Sequence, residues 1–140
     1  MTTYGTAKWQ GGLKDGKGAI STKSGALKEY PYGFAARFEG QPGTNPEELI
    51  GAAHSGCFTM ALSLILEQAG FKAEEMNTKA EITLVKQGDG FAITKSQLTL
   101  RAKIPGIYAA KFQELAGMAE KGCPVSKLLK CEIALDAALV

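Results

Sequence analysis

Thr44-Asn45-Pro46-Glu47-Glu48-Leu49-Ile50-Gly51-Ala52-Ala53-His54-Ser55-Gly56-Cys57-Phe58 opens a long helix, and the reading of this stretch decides the fold. Asn45 is a good N-cap, Pro46 suits the first helical position, and Glu48 stands where a capping box places its carboxylate. From Leu49 to Leu66 the chain carries no charge for 18 residues. The helix is expected to end near Gln68, with Gly70 as a left-handed terminator. Such a length approaches the lower limit for a membrane-spanning helix. His54, Ser55, Thr59 and Ser63, two glycines and several alanines interrupt it, and no aromatic belt flanks it. It reads as a helix buried on all sides in protein, not as a membrane span.

The chain before this helix is rich in glycine and turns. Thr2 to Gln10 reads as a strand, Gly11-Gly12 and Asp15-Gly16 as turns, and Ala19 to Thr22 as a second strand. After the Ser24-Gly25 turn, Ala26 to Tyr30 reads as extended, Pro31-Tyr32-Gly33 breaks the run, and Phe34 to Phe38 is a short extended piece. Beyond the long helix, Ala80, Ile82 and Leu84 alternate with polar neighbours and mark a half-buried strand. Gly88-Asp89-Gly90 is a hairpin turn. In the next strand Phe91 and Ile93 lie on one face, and Leu98, Leu100, Ala102 and Ile104 follow the opposite phase. A parity switch inside one strand predicts a bulge between Thr94 and Gln97. Ile107 to Lys121 is an amphipathic helix, Cys123-Pro124 starts a short helix to Lys130, and Ile133 to Leu139 is a final strand. The order predicts an α+β fold with antiparallel sheets, in one domain over residues 1–140. A helix apolar all round demands more cover than one small sheet offers, and a second chain would supply it.

Composition limits the functions available. The chain has 140 residues, of which 45% are hydrophobic and 21% charged, with a net charge of +2. A chain of this size buries roughly two-thirds of its unfolded surface. The charge is small and the lysines are scattered, so no nucleic-acid partner is expected. Three cysteines, an odd count at wide spacing, fit a reducing cytoplasm in which any disulfide is transient and catalytic. One histidine with dispersed cysteines does not match zinc spacing, and no phosphate-binding or dinucleotide loop is present, so neither metal nor cofactor is expected.

Cys57 and Cys123 are the residues best suited to chemistry. A thiol among apolar and small residues is ordinarily inert core filling. It becomes a redox site when its pKa is lowered, because the thiolate is the nucleophile. A mid-helix position gives Cys57 no dipole help, so a cation must act. Arg37, flanked by Phe34 and Phe38, is the best candidate; a solvated strand arginine is the alternative. A buried Arg37 would need a carboxylate, and Glu47 and Glu48 are available. These acids also simply complement the helix N-terminus. Glu47 and Cys57 are ten residues apart, or about 15 Å along one helix axis. They cannot share a site within one straight helix, and only an antiparallel partner helix would bring Glu47 of one chain beside Cys57 of the other. Cys123 precedes Pro124 at a helix N-terminus, which favours a thiolate and suits a resolving cysteine; a plain capping role is the alternative. Cys131, at a helix-to-strand junction, reads as structural. His54 lies one turn before Cys57 and reads either as a satisfied core histidine or as a base for the thiol.

Pro31-Tyr32-Gly33-Phe34, Arg37-Phe38-Glu39-Gly40, Gly43 through Ala53 with His54 and Cys57-Phe58, Gly90-Phe91-Ala92-Ile93-Thr94-Lys95, and Gly122-Cys123-Pro124-Val125-Ser126 together resemble the OsmC/Ohr family of bacterial hydroperoxide reductases, in its OsmC branch. The resemblance covers nearly the whole chain. It implies an intertwined homodimer, with antiparallel sheets wrapped around long central helices. It implies Cys57 as the peroxidatic and Cys123 as the resolving cysteine, with Arg37 favouring the thiolate and Glu47 as its carboxylate partner. The implied activity is a cytoplasmic, antioxidant thiol peroxidase of stress responses that reduces organic hydroperoxides through a Cys57 sulfenic acid and a Cys57–Cys123 disulfide, recycled by an external dithiol. Phe34, Phe38, Phe58 and Met60 are candidate walls of an apolar substrate pocket. Two alternatives remain at this stage: a dimeric small-molecule binding protein on the same fold with inert cysteines, and a cysteine hydrolase using Cys57 and His54.

Overall fold

The computed structural model describes residues 1–140 and divides into two compact units, Met1–Leu49 and Ile50–Val140. In the first unit β1 (Gly5–Gln10), β2 (Lys17–Thr22) and β3 (Tyr30–Tyr32) form an antiparallel sheet in the order β1-β2-β3. Gly18 pairs with Trp9 on one side and with Tyr32 on the other. The two rings meet edge to face over it, with centroids 5.5 Å apart. A Cβ at Gly18 would fall within 2.6 Å of both rings, so the aromatic contact requires the glycine.

Two readings of this unit change. Tyr30–Tyr32 is a strand through Pro31, tolerated because β3 is a sheet edge where a missing donor costs no ladder bond. Phe34–Phe38, expected to be extended, is a short helix, α1. Alanine is the strongest helix former, and the spacing of four brings Phe34 and Phe38 together on one helical face, with centroids 5.0 Å apart.

The long helix α2 runs Pro46–Gln68. Asn45 Oδ1 accepts the Glu48 N–H at 2.8 Å, as an N-cap should, while the Glu48 carboxylate accepts the Thr44 hydroxyl at 2.6 Å. At the other end Gly70 takes φ +89°. There the Phe71 N–H bonds the Leu66 carbonyl and the Gly70 N–H bonds that of Glu67, the two bonds of a Schellman stop.

In the second unit β4 (Glu75–Gln87) and β5 (Gly90–Lys103) form a hairpin turning at Gly88-Asp89. The register slips where Thr83 faces Lys95 and Leu84 faces Ile93, leaving Thr94 as the bulged residue. Beyond the bulge Ser96, Leu98, Leu100 and Ala102 all face the core. Helices α3 (Ala109–Gly122) and α4 (Pro124–Leu128) lead to β6 (Glu132–Leu139). β6 pairs with β5 in parallel, which corrects the expectation of purely antiparallel sheets. The helical connection crosses over and returns the chain in the same direction.

The core of this unit joins Phe58, Leu62 and Leu66 of α2 to Leu98 and Leu100 of β5 and to Phe112, Leu115 and Ala119 of α3. α2 was expected to be buried all round. It is buried along one stripe only, and in the single chain Met60 is 74% and Leu64 54% exposed on the other face. By length and hydropathy alone (mean 1.7) the helix could cross a membrane, a test that core helices also pass.

Close packing predicts the response of two helical glycines. A Cβ at Gly51 would meet the Ala80 carbonyl oxygen at 2.9 Å, whereas one at Gly117 meets nothing within 4 Å. Gly51→Val should therefore destabilise the protein by about 1–3 kcal/mol. Gly117→Ala should stabilise it by up to about 1 kcal/mol. Urea unfolding midpoints of the two variants check both signs.

Candidate functional site

Cys57 projects from the middle of α2 and is half-buried; Cys123, between α3 and α4, is 0% exposed. Both are free, and they lie close enough for each to perturb the ionisation of the other. The chain places them together because α3 ends at Gly122 and Pro124 begins α4 at once, turning Cys123 into the junction. Burial pushes the Cys57 thiol up, and the bond with Cys123 adds to this; only the Val125 amide opposes. Burial also pushes Cys123 up, but bonds from Cys57, from the Ser126 amide and hydroxyl and from the Val125 amide outweigh it, and the net shift is downward. Within one chain the charge is thus favoured on Cys123, not on Cys57. This is the outcome expected for a mid-helix thiol with no cation beside it.

Behind Cys123 lies a buried polar chain. His54 is 0% exposed, with Nδ1 at 2.7 Å from Ser96 Oγ and Nε2 at 2.8 Å from Ser126 Oγ. A neutral imidazole offers one donor and one acceptor, so two hydroxyls satisfy it completely. Burial holds its pKa below the ordinary 6.5. His54 is therefore a satisfied core histidine, and it reaches Cys123 through Ser126 rather than acting directly on Cys57.

In the first unit Arg37 and Glu47 meet. Arg37 Nε lies 3.1 and 3.2 Å from the two Glu47 carboxylate oxygens, and Nη2 lies 2.5 Å from Oε1. Glu47 is 8% exposed. The guanidinium also lies over the Phe38 ring, 5.2 Å from its centroid. The part-exposed guanidinium pairs the nearly buried Glu47 carboxylate, whose charge would otherwise be costly to hold.

A cleft of about 630 Å³ opens beside Cys57, walled mainly by Met60, Ala61, Leu64, Ile65 and Pro124. It is mostly apolar. Of the expected pocket residues, Met60 lies on this cleft. Phe34 and Phe38 line a separate cavity of about 180 Å³ in the first unit, together with Arg37 and Trp9. Phe58 is 0% exposed in the core and is not on the cleft wall. Sequence reasoning passed over Ala61, Leu64 and Ile65, although their spacing of four, seven and eight from Cys57 places them on its helical face. Ser96 and Ser126 carried no signal of their own. No three metal-ligating side chains converge anywhere in the chain.

The His54 environment predicts a pH dependence. Because its folded pKa lies below 6.5, the unfolded chain takes up the proton first as pH falls. The stability contributed by neutral His54 is fully present above 6.5 and is lost as pH drops through the lower folded value. Urea unfolding measured one unit above and one unit below 6.5 should show a larger loss in the parent than in His54→Gln, which has no proton to gain.

The family model described as OsmC-like protein matches residues 38–137. The chain is 54% identical to the peroxiredoxin OsmC of Escherichia coli (strain K12) over 135 residues, 96% of this chain and 94% of that one. It is 33% identical to the organic hydroperoxide resistance protein OhrB of Bacillus subtilis (strain 168) over 93 residues, 66% of each chain. The crystal structure of OhrB superposes with a TM-score of 0.74 at 27% identity, covering 100% of this chain and 98% of that one. An OsmC-like protein from Mycoplasma pneumoniae shares the fold with a TM-score of 0.78 at 14% identity, covering 100% of this chain and 98% of that one. The chain belongs to the OsmC-like family.

Proposed function

We propose that this protein is a thiol-dependent peroxidase that reduces organic hydroperoxides to alcohols. The carrying observation is a pair of free, neighbouring thiols, one half-exposed and one fully buried, at the edge of an apolar cleft. The Cys57 thiolate attacks the distal peroxide oxygen, the O–O bond breaks, and the alkoxide leaves as the alcohol after taking a proton. Cys57 is left as a sulfenic acid. Cys123 then attacks the Cys57 sulfur, the S–O bond breaks, and water leaves with the thiol proton. An external dithiol reduces the disulfide by exchange. The cleft wall favours an alkyl-bearing peroxide over hydrogen peroxide. Three free cysteines fit work in the reducing cytoplasm.

The working site in this reading is built from two chains. Cys57 has no cation to lower its pKa, while Arg37 is already oriented by Glu47. Ten residues on one helix separate Glu47 from Cys57, about 15 Å along the axis. A second copy, laid antiparallel on the exposed α2 face with its Met60 and Leu64, brings the Arg37–Glu47 pair of one chain to Cys57 of the other. It also covers the apolar face that the single chain leaves open.

Three measurements test this. One equivalent of cumene hydroperoxide should remove two thiols per chain; two unchanged thiols would instead indicate a binding protein with inert cysteines. Cys57→Ser should abolish peroxide consumption, whereas Cys123→Ser should react once and then over-oxidise to sulfinic acid, as seen by intact-mass spectrometry. Finally, Glu47→Ala and Cys57→Ser chains, each crippled alone, should form heterodimers on exchange that each regain up to about half of parental activity per dimer, because the heterodimer collects both lesions in one of its two sites. Exchanged dimers that stay inactive would place Glu47 outside the site.

A further inference from the structure

We propose that the buried Ser96–His54–Ser126 chain ends on Cys123 and prepares that thiol to close the disulfide, with Ser126 touching the reacting sulfur and His54 and Ser96 as positioning residues. The reading deepens the peroxidase assignment and rests on it for its biological sense. The geometry is specific. His54 is 0% exposed, and its two ring nitrogens are taken up by two hydroxyls at 2.7 and 2.8 Å. Ser126, 8% exposed, bonds His54 Nε2 and lies in the first turn of α4, three residues after the N-cap Cys123, where its hydroxyl is placed to reach that sulfur. A leucine would fill this volume without needing partners, so the cost of desolvating an imidazole and two hydroxyls requires another reason.

One arrangement of protons satisfies every group when Cys123 is a thiolate. Ser96 O–H donates to His54 Nδ1, His54 Nε2–H donates to Ser126 Oγ, and Ser126 O–H donates to the Cys123 sulfur. All three donors then point toward the charge, and each bond strengthens the next. The imidazole stays neutral, so no ion is buried behind the thiol. The Thr94 bulge matters here, because it sets the parity that turns Ser96 to the core face. When Cys57 is a sulfenic acid, the Cys123 thiolate, its own proton already lost to solvent, attacks the Cys57 sulfur, the S–O bond breaks, and the departing hydroxide takes a proton from solvent in the open cleft to leave as water. The chain keeps the attacking sulfur charged at the moment Cys57 no longer shares a proton with it.

The test needs no peroxide. In a Cys131→Ser background, Ellman's reagent labels half-exposed Cys57 first and releases one aromatic thiolate. Cys123 then attacks the mixed disulfide, forms the Cys57–Cys123 bond and releases a second. The second phase reads the nucleophilicity of Cys123 alone. Ser126→Ala and His54→Gln should each slow it by about tenfold or more, the loss expected on removing or weakening a hydrogen bond to a charged group. The first phase should stay within about threefold, and Ser126→Thr, which keeps the hydroxyl, should recover most of the rate. A second phase at the parental rate in both variants, an equal slowing of both phases, or a Thr variant as slow as Ala would overturn the proposal, as would a parent that releases only one thiolate. If the phases behave as stated but hydroperoxide is not consumed, the peroxidase assignment fails and the role of the chain stands.

Discussion

Cys57 sits mid-helix, where neither end of the helix dipole reaches it and burial favours the neutral thiol. Much of the remaining structure is intelligible as a response to that placement. The position has an advantage. A helix interior fixes the sulfur on a rigid axis, with its neighbours at four, seven and eight residues forming a continuous apolar wall. The disadvantage is electrostatic, because a thiol there does not ionise without help. The help cannot come from α2 itself, which carries no cation. It must be brought by other elements, and within the second unit the Val125 amide of α4 is the one that favours the Cys57 thiolate. The amides of Val125 and Ser126 are spent mostly on Cys123. The proposed two-chain site supplies the missing cation as the guanidinium that Glu47 orients.

The same helix is asked to serve two surfaces. Phe58, Leu62 and Leu66 bury one stripe against β5 and α3. Met60 and Leu64 leave the opposite stripe apolar and open. A helix of a self-sufficient monomer would be polar on that side. The absence of charge from Leu49 to Leu66 is therefore not explained by the core of one chain. It is explained if α2 is interior on both sides of an assembly, with the thiol at the boundary between them.

Local signals in the sequence were read well, and pairings at a distance were not. The α2 start, its Gly70 stop, the Gly88-Asp89 turn and the bulge at Thr94 each follow from residues within one turn of one another. The expected partnership of Arg37 with Glu47 is present in space, with the part-exposed guanidinium bonding a carboxylate that is almost wholly buried. The α1 helix was missed because five residues with an aromatic at each end fit either period, and the Ala-Ala pair decided it. The direction of β6 was missed because strand polarity depends on how α3 and α4 cross, which no local pattern records. Ser96 and Ser126 were invisible for a related reason. A serine announces nothing until the fold sets it against a buried imidazole.

The difference in exposure between the two thiols gives the site a direction. An incoming peroxide reaches half-exposed Cys57 and not Cys123, which is 0% exposed. A buried thiolate would ordinarily be avoided, since desolvation opposes its charge. Here hydrogen bonds from Ser126, Val125 and Cys57 offset that cost. Cys123 can therefore be nucleophilic toward its neighbour while remaining out of reach of the oxidant. The converse arrangement, with an acidic and exposed resolving thiol, would spend it in direct reaction with peroxide and leave the Cys57 sulfenic acid without a partner, open to further oxidation. Protection of the second thiol and activation of the first are thus separate physical problems. In the proposed mechanism they are met by different elements, the buried hydroxyl–imidazole chain behind Cys123 and the Arg37–Glu47 pair of a second chain for Cys57.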